Sequence, residues 1–525
     1  MAKYLANISS AARRAAEVQD WSRVRECARE ILKRDRNSAE GRFLLGLAEK
    51  AAGRTGQAID AFSLALDLDS GRYDAAVELA AQYLITHRYG EAAELLGRVE
   101  SMLSNSPRYL DMAATIYTKI GLPGRGWPLY RRADELQPGI DSIRANLAAC
   151  AVYVGRIAEA KQIYSELLAK HPNHQRNHYE LARLGRATDE SHVDAMKAVL
   201  ESTGPPPARN IYIYYALGKE LEDLGRWDEA FEYYSMAGDA ARSAADYDVG
   251  TDVELIESVI ETCNADWLGA AGNPGTPRPA QSGTPIFIVG LPRSGTTLTE
   301  RILSCHSMVE SAGESFFMQI AVKRVSGLRT NADMSPAIIA SAANKDAARI
   351  AAGYMESIAY RLRHEPFFVE KLPENVLYLG FIAKAFPDCR IVLLRRNPMD
   401  NCFAMYKQSF FRYAYSLDDL GRYYVAYHEL CEHWRRLLGA RLIEVEYESL
   451  VREQERETRT LLERLGLDFE DACLRFEDNA TATNTASAVQ VREKIHARSV
   501  GRWRHFGKQL QPLREFLDDA GIKTG

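Results

Sequence analysis

Several common features are missing from this 525-residue sequence, and each absence narrows its chemistry. The eight cysteines (27, 150, 263, 305, 389, 402, 431 and 473) are scattered, with no C-x-x-C pair. That excludes a zinc framework and a disulfide scaffold, and it suits a reducing compartment. No apolar run approaches the roughly 20 residues that span a bilayer. The first sixteen residues also lack the apolar core of a secretory leader, so no membrane segment and a cytoplasmic location are expected. An excess of basic charge is missing too: 66 Lys and Arg against 71 Asp and Glu give a net charge of −5. No global field is available to gather nucleic acid.

What is present is 46% hydrophobic and 26% charged, the balance of a well-cored chain, at a length that predicts two or three domains. The first half repeats in rows of 34 residues. Gly46, Ala80, Ala114 and Ala148 share one column, and Gly53, His87, Gly121 and Gly155 another. Ala58, Ala92, Gly126 and Ala160 follow, then Phe62, Leu96, Tyr130 and Tyr164. Small residues where helices cross, a large apolar residue filling the gap and a turn residue between them describe a helical hairpin. One hairpin cannot bury its own apolar face, so neighbours must stack.

The pattern resembles the tetratricopeptide repeat, and 210–238 is a further good match. An α-solenoid is therefore expected over 1–262, binding a protein or peptide partner, or else supporting the second domain or a homodimer. Tyr212, Tyr214 and Tyr215 are expected in its core. The stretch from Gly269 to Pro285, rich in Gly, Pro, Ser and Ala, predicts a linker over 263–284, with an α/β domain over 285–525.

That domain opens with an apolar strand, 285–290, then Leu291-Pro-Arg-Ser-Gly-Thr-Thr297 and a helical stretch. Strand, glycine turn, helix is the context of a phosphate loop, where backbone N–H groups and a helix N-terminus converge on an anion. A nucleoside-triphosphate loop needs Lys where this chain has Thr296, and it carries no Arg inside the turn. Arg293, Ser294, Gly295, Thr296 and Thr297 suit a smaller anion that needs no metal.

Pro292-Arg-Ser-Gly-Thr-Thr297 resembles the phosphosulfate loop of sulfotransferases that use 3′-phosphoadenosine-5′-phosphosulfate (PAPS). The likeness runs from about Pro285 to Phe516 and is nearest to the tyrosylprotein branch and to bacterial proteins that fuse such a domain to tetratricopeptide repeats. It implies a central parallel sheet, PAPS as co-substrate at the strand ends, and no metal. It implies that Pro292 to Thr297 bind the 5′-phosphosulfate and that Arg396 binds the 3′-phosphate. Family hydroxyl and arginine positions of that pocket fall on Ala404 and Gln408, with Asn401 or late basic residues as substitutes.

By the same likeness Lys371 is the catalytic lysine, stabilising the transferring group together with Arg293, and Glu314 is the base, with Glu370, Glu374 and His306 as rivals. Sulfuryl transfer calls for positioning and for stabilised charge, and an attacking hydroxyl needs a proton acceptor. Glu314 is expected beside both Arg293 and Lys371. Phe316 stands where the tyrosylprotein branch has an arginine that grips acidic peptides. Tyr447 is implied as a nucleotide contact, and Ser487, Lys494, Arg498 and Arg502 as a basic loop closing over it. The implied reaction is sulfation of a protein or peptide tyrosine. The alternatives are sulfation of a small-molecule, lipid or saccharide hydroxyl, or a non-catalytic nucleotide-binding scaffold.

Overall fold

The computed structural model describes residues 2–103, 105–204, 207–270, 283–363, 365–479, 481–483, 485 and 487–525. They form two compact units, Met1–Cys150 and Ala151–Gly525. The expected linker lies outside the described residues from 271 to 282; its beginning, Ala265–Gly269, is a short helix. Trp267 of that helix donates through Nε1 to the Ala343 carbonyl (2.9 Å).

In the first unit, antiparallel helices pair as Ala39–Ala51 with Thr55–Leu68 and Pro107–Lys119 with Pro123–Leu136, among others. The repeated columns have direct steric causes. A Cβ on Gly46 would come within 2.5 Å of the Phe62 ring, and one on Gly126 within 2.8 Å of the Ala114 carbonyl oxygen. The turn column has left-handed backbone at Gly53, Gly121 and Gly155 and also at His87, whose φ is 58°. The apolar fill is complete, since Phe62 and Leu96 are wholly buried.

The second unit begins with further helices, of which three matter below: α1 (Gln175–Arg183), α2 (Ile211–Asp223) and α3 (Trp227–Ala244). Tyr214 and Tyr215 are buried on α2, as their spacing predicts. Tyr212 is not a core residue; it is exposed, its ring 5.4 Å from that of Tyr179. One side of a helix cannot hold three tyrosines crowded into four positions.

Next comes a five-stranded parallel sheet, β1 (Thr284–Gly290), β2 (Val309–Gly313), β3 (Phe367–Lys371), β4 (Arg390–Arg395) and β5 (Leu442–Glu446), in the order β2-β3-β1-β4-β5. All pairings are parallel, and the register sets Ile288 against Lys371 and Gly290 against Leu394. β1 and the middle of β4 read as continuous apolar runs because both faces of the sheet are covered there. Ile286, Val369, Val392 and Ile443 pack on one side with Leu461 and Leu462 of the helix Gln454–Leu465. Phe287 packs on Tyr354 and Phe386. Since β1 is central, its carboxyl end opens between those of β3 and β4, the usual ligand crevice of a parallel sheet.

The hairpin α2–α3 packs against the helix α6 (Pro398–Tyr406), which follows β4; two further helices, α4 (Thr296–Leu303) and α5 (Phe317–Ser326), follow β1 and β2. Phe231 stacks on Tyr406 and Tyr234 meets Phe403 edge-on. Glu222 of α2 is buried and receives Lys407 Nζ at 2.8 Å, the Arg502 guanidinium, and the Tyr234 hydroxyl at 2.8 Å. This part of the helical array is therefore built into the α/β domain.

Candidate active site

The loop from β1 to α4 is shaped by three residues with positive φ. Gly290 (φ 151°) passes so near β4 that a Cβ would meet the Leu394 carbonyl oxygen at 2.9 Å. Gly295 (φ 107°) caps α4, and a Cβ there would lie 2.6 Å from the Tyr447 ring. Arg293 between them takes φ 66°, a conformation that costs a side-chain-bearing residue about 1–2 kcal/mol. Strain of this kind persists only where surroundings over-determine it. Here Asn401 Nδ2 donates to the Pro292 carbonyl (2.7 Å), and Arg396 Nη1 to the Arg293 carbonyl (2.6 Å). With those carbonyls tied back, the first-turn N–H groups of α4 remain, flanked by the buried Thr296 and Thr297.

A cationic group surrounds this loop. Arg396, just past β4, also donates through Nη2 to the Ser499 carbonyl (2.8 Å), and its guanidinium lies 4.7 Å from the centroid of Tyr447, the first residue of the helix Tyr447–Arg452. The Arg293 guanidinium reaches Ser487 Oγ and, at 2.7 Å, Gln490 Oε1. Burial first, and then the charges of Arg396 and Arg183, pull its pKa down to about 10, so it stays charged at neutral pH. Among the described residues no carboxylate pairs with either arginine. Among the described residues, the buried Arg293 Nε, Arg396 Nε and Ser294 Oγ have no hydrogen-bond partner. Buried unpaired donors around two adjacent cations fit a multiply charged anion.

A second group forms around Lys371. Its side chain, 0% exposed at the end of β3, ion-pairs with Glu314 Oε1. Glu314 follows β2, in a turn whose carbonyls at Ala312 and Glu314 both accept from Arg361 Nη1 (2.7 and 2.8 Å). Glu300 and Glu374 also feel the Lys371 charge; burial, the largest influence on each, raises both carboxyls. Glu300 accepts from Ser311 Oγ at 2.5 Å. Glu370 feels that charge too, so one buried ammonium has four carboxyl groups around it, of which Glu314 makes the direct contact.

The structure joins some of the expected residues and separates others. Glu314 meets Lys371, but the Arg293 guanidinium turns to Ser487 and Gln490 instead of joining them. Lys494 is exposed, and Arg498 pairs with Glu493. Arg502 belongs to the Glu222 cluster. Asn401 is committed to Pro292, and Phe316 is 55% exposed. His306 is buried, with Nε2 on the Asp468 carbonyl (2.9 Å) and Nδ1 accepting from the Met308 N–H (3.1 Å). Glu300, Arg361 and Gln490 were not among the expected residues; nothing local in the sequence marks them.

Glu370 is fully buried, accepting from Ser315 Oγ (2.9 Å) and Asn375 Nδ2 (2.7 Å), and so braces the residue next to Glu314. Burial pushes its carboxyl from 4.5 up to about 8, against the opposing pull of Ser315 and Arg361. A folded-state pKa above the unfolded one gives stability that is whole below about pH 4.5 and is lost as pH rises through about 8. The Glu370→Gln variant cannot ionise there. Its melting temperature is expected to gain on that of wild type as pH rises from about 6 to about 9; a difference independent of pH would refute this assignment.

A glycine-turn phosphate loop at the carboxyl edge of a parallel sheet, with arginines and a buried lysine around it, defines a phosphate-loop α/β domain. Residues 285–471 match the model of the sulfotransferase family, in a chain whose first part carries tetratricopeptide-like repeats. An uncharacterized protein of Aquifex aeolicus (strain VF5) is 31% identical over 402 residues, covering 75% of this chain and 52% of its own. Protein-tyrosine sulfotransferase 1 of Danio rerio is 26% identical over 212 residues, 37% of this chain and 56% of its own. The chain therefore spans about half the length of these two curated relatives. The solved sulfotransferase domain from the curacin biosynthetic pathway is 17% identical, with a TM-score of 0.32, covering 46% of this chain and 99% of that one. Among the described residues, no helix is long and apolar enough to cross a membrane, and no group of three or more His, Cys, Asp or Glu could hold a metal ion.

Proposed function

We propose that the chain is a sulfotransferase that moves the sulfuryl group of PAPS to an acceptor hydroxyl, with a protein or peptide tyrosine as acceptor. The observation that carries this reading is the Arg293–Arg396 pair, without a carboxylate, around a phosphate loop whose buried Nε and Oγ atoms lack partners. The loop amides, Thr296 and Thr297 hold the 5′-phosphosulfate; Arg396, with Tyr447 against it, holds the rest of the nucleotide. Glu314 takes the proton of the acceptor hydroxyl, whose oxygen bonds to sulfur as the bond from sulfur to the bridging phosphate oxygen breaks. Lys371 offsets the charge that builds on that leaving oxygen.

The tyrosine acceptor is supported by likeness to a relative named as a protein-tyrosine sulfotransferase. It is also supported by a repeat array of a kind suited to holding peptides. The exposed Phe316 supports an acceptor without an acidic run beside its tyrosine.

Calorimetric titration with 3′-phosphoadenosine-5′-phosphate tests the nucleotide reading. Removing one charge-assisted contact in Arg293→Ala or Arg396→Ala is expected to cost about 1.5–3 kcal/mol, roughly ten- to over a hundredfold in affinity. No binding by wild type would overturn the reading and leave a scaffold. Tyrosine peptides that accept no sulfate while small phenols do would move the acceptor class.

A further inference from the structure

The cationic group around the phosphate loop has a third member that comes from the helical array. Helix α1 presents Tyr179 and Arg183 one turn apart. Tyr179 is buried, its hydroxyl 3.3 Å from Ser409 Oγ, immediately after Gln408. The Arg183 guanidinium lies over the Tyr179 ring, 5.1 Å from its centroid. The Arg183 charge is among those acting on Arg293. Among the described residues, Arg183 pairs with one carboxylate, Glu180 at 3.3 Å on its own helix, and both side chains are part-exposed. A pair of that kind is worth about 0–1 kcal/mol, too little to hold the guanidinium from a stronger anion.

On this side the α/β domain offers the Ser409 hydroxyl, engaged by Tyr179, and the Lys407 ammonium, engaged by Glu222. Where the family likeness expects a hydroxyl and an arginine stand Ala404 and Gln408, and Asn401 is spent on Pro292. From the helical array, Arg183 stands close enough for its charge to act on Arg293, and its guanidinium is oriented by Tyr179, which reaches Ser409.

We infer that Arg183, supplied by the helical array, binds the 3′-phosphate of the nucleotide in place of the side chains missing at positions 404 and 408. The inference rests on the nucleotide reading above. Arg183 belongs with Arg293 and Arg396, whereas the acceptor chemistry lies with Lys371 and Glu314. A guanidinium stacked on a tyrosine face is preorganised, which suits the planar, two-pronged recognition of a phosphate. On this view the array is a component of the nucleotide site, in addition to any partner it holds.

The test compares 3′-phosphoadenosine-5′-phosphate with adenosine 5′-phosphate, which lacks the 3′-phosphate, by calorimetry on the full chain. Arg183→Ala, and Arg183→Gln, which keeps the length and packing of the side chain, are expected to weaken the bisphosphate about tenfold or more. Adenosine 5′-phosphate should change by less than about twofold. Equal weakening of both nucleotides, or of neither, overturns the inference. Wild type that binds the bisphosphate no more tightly than the monophosphate sinks the nucleotide reading itself. Tight wild-type binding untouched by either variant sinks the Arg183 assignment alone.

Discussion

Glu314→Gln is expected to lower single-turnover sulfate transfer by about 10²–10⁴, the usual contribution of a general base, while bisphosphate affinity stays within about twofold of wild type. The amide keeps the volume of the carboxylate and can still accept from Lys371 Nζ, so the buried ammonium is not left alone. What it loses is the ability to take a proton. The turn around it is held by Arg361 through backbone carbonyls and by the Glu370–Ser315 bond, none of which uses the Glu314 side chain. A loss of transfer is therefore chemical and not a collapse of the site. Labelled sulfate and rapid quench would measure it, with Glu374→Gln alongside. Glu374 also lies near Lys371, but burial and the Glu314 charge both favour its protonated form. Full transfer by Glu314→Gln, with loss in Glu374→Gln, would move the base to Glu374.

How much of this could be read beforehand depended on the range over which a residue acts. The hairpin columns are local: Gly46 faces Phe62 sixteen positions away, and the turn column needs a left-handed residue, so the period is visible in the chain. The phosphate loop is equally local, and its neighbours at Lys371 and Arg396 follow from strands that end at one edge of the sheet. The direction of the Arg293 guanidinium is not local. It is decided by Ser487 and Gln490, nearly two hundred positions on, in a segment with no periodicity to announce its path. Choosing among Glu314, Glu370 and Glu374 also depended on tertiary burial. Glu370 ends inside, saturated by Ser315 and Asn375, although it is adjacent to Lys371 in the chain, because successive strand residues face opposite sides.

The least legible contact carries the largest expected stability effect. Glu222, Lys407 and Arg502 are far apart in sequence, yet they form one buried cluster between α2, the turn after α6 and the C-terminal loop. Burial alone would raise the Glu222 carboxyl, but Lys407 and Arg502 override it and hold it down at about 2. Glu222→Ala strands a buried ammonium and also removes the acceptor of the Tyr234 hydroxyl. Breaking a buried pair in this way costs about 3–5 kcal/mol, which chemical denaturation should register in the unfolding transition of the Ala151–Gly525 unit. Since the folded-state pKa lies below the unfolded 4.5, the contribution is present above about pH 4.5 and is lost as pH falls through about 2. The gap between wild type and variant should therefore be full at neutral pH and shrink in strong acid. Glu222→Gln combined with Lys407→Met should recover part of the loss, because the more buried of the two cations left without a carboxylate is gone, while Arg502 remains. The same damage should reach the ligand, since α6 carries Asn401 and begins next to Arg396, the two residues that tie back the phosphate-loop carbonyls. Bisphosphate affinity that is unchanged in a destabilised Glu222→Ala would uncouple the helical array from the nucleotide site.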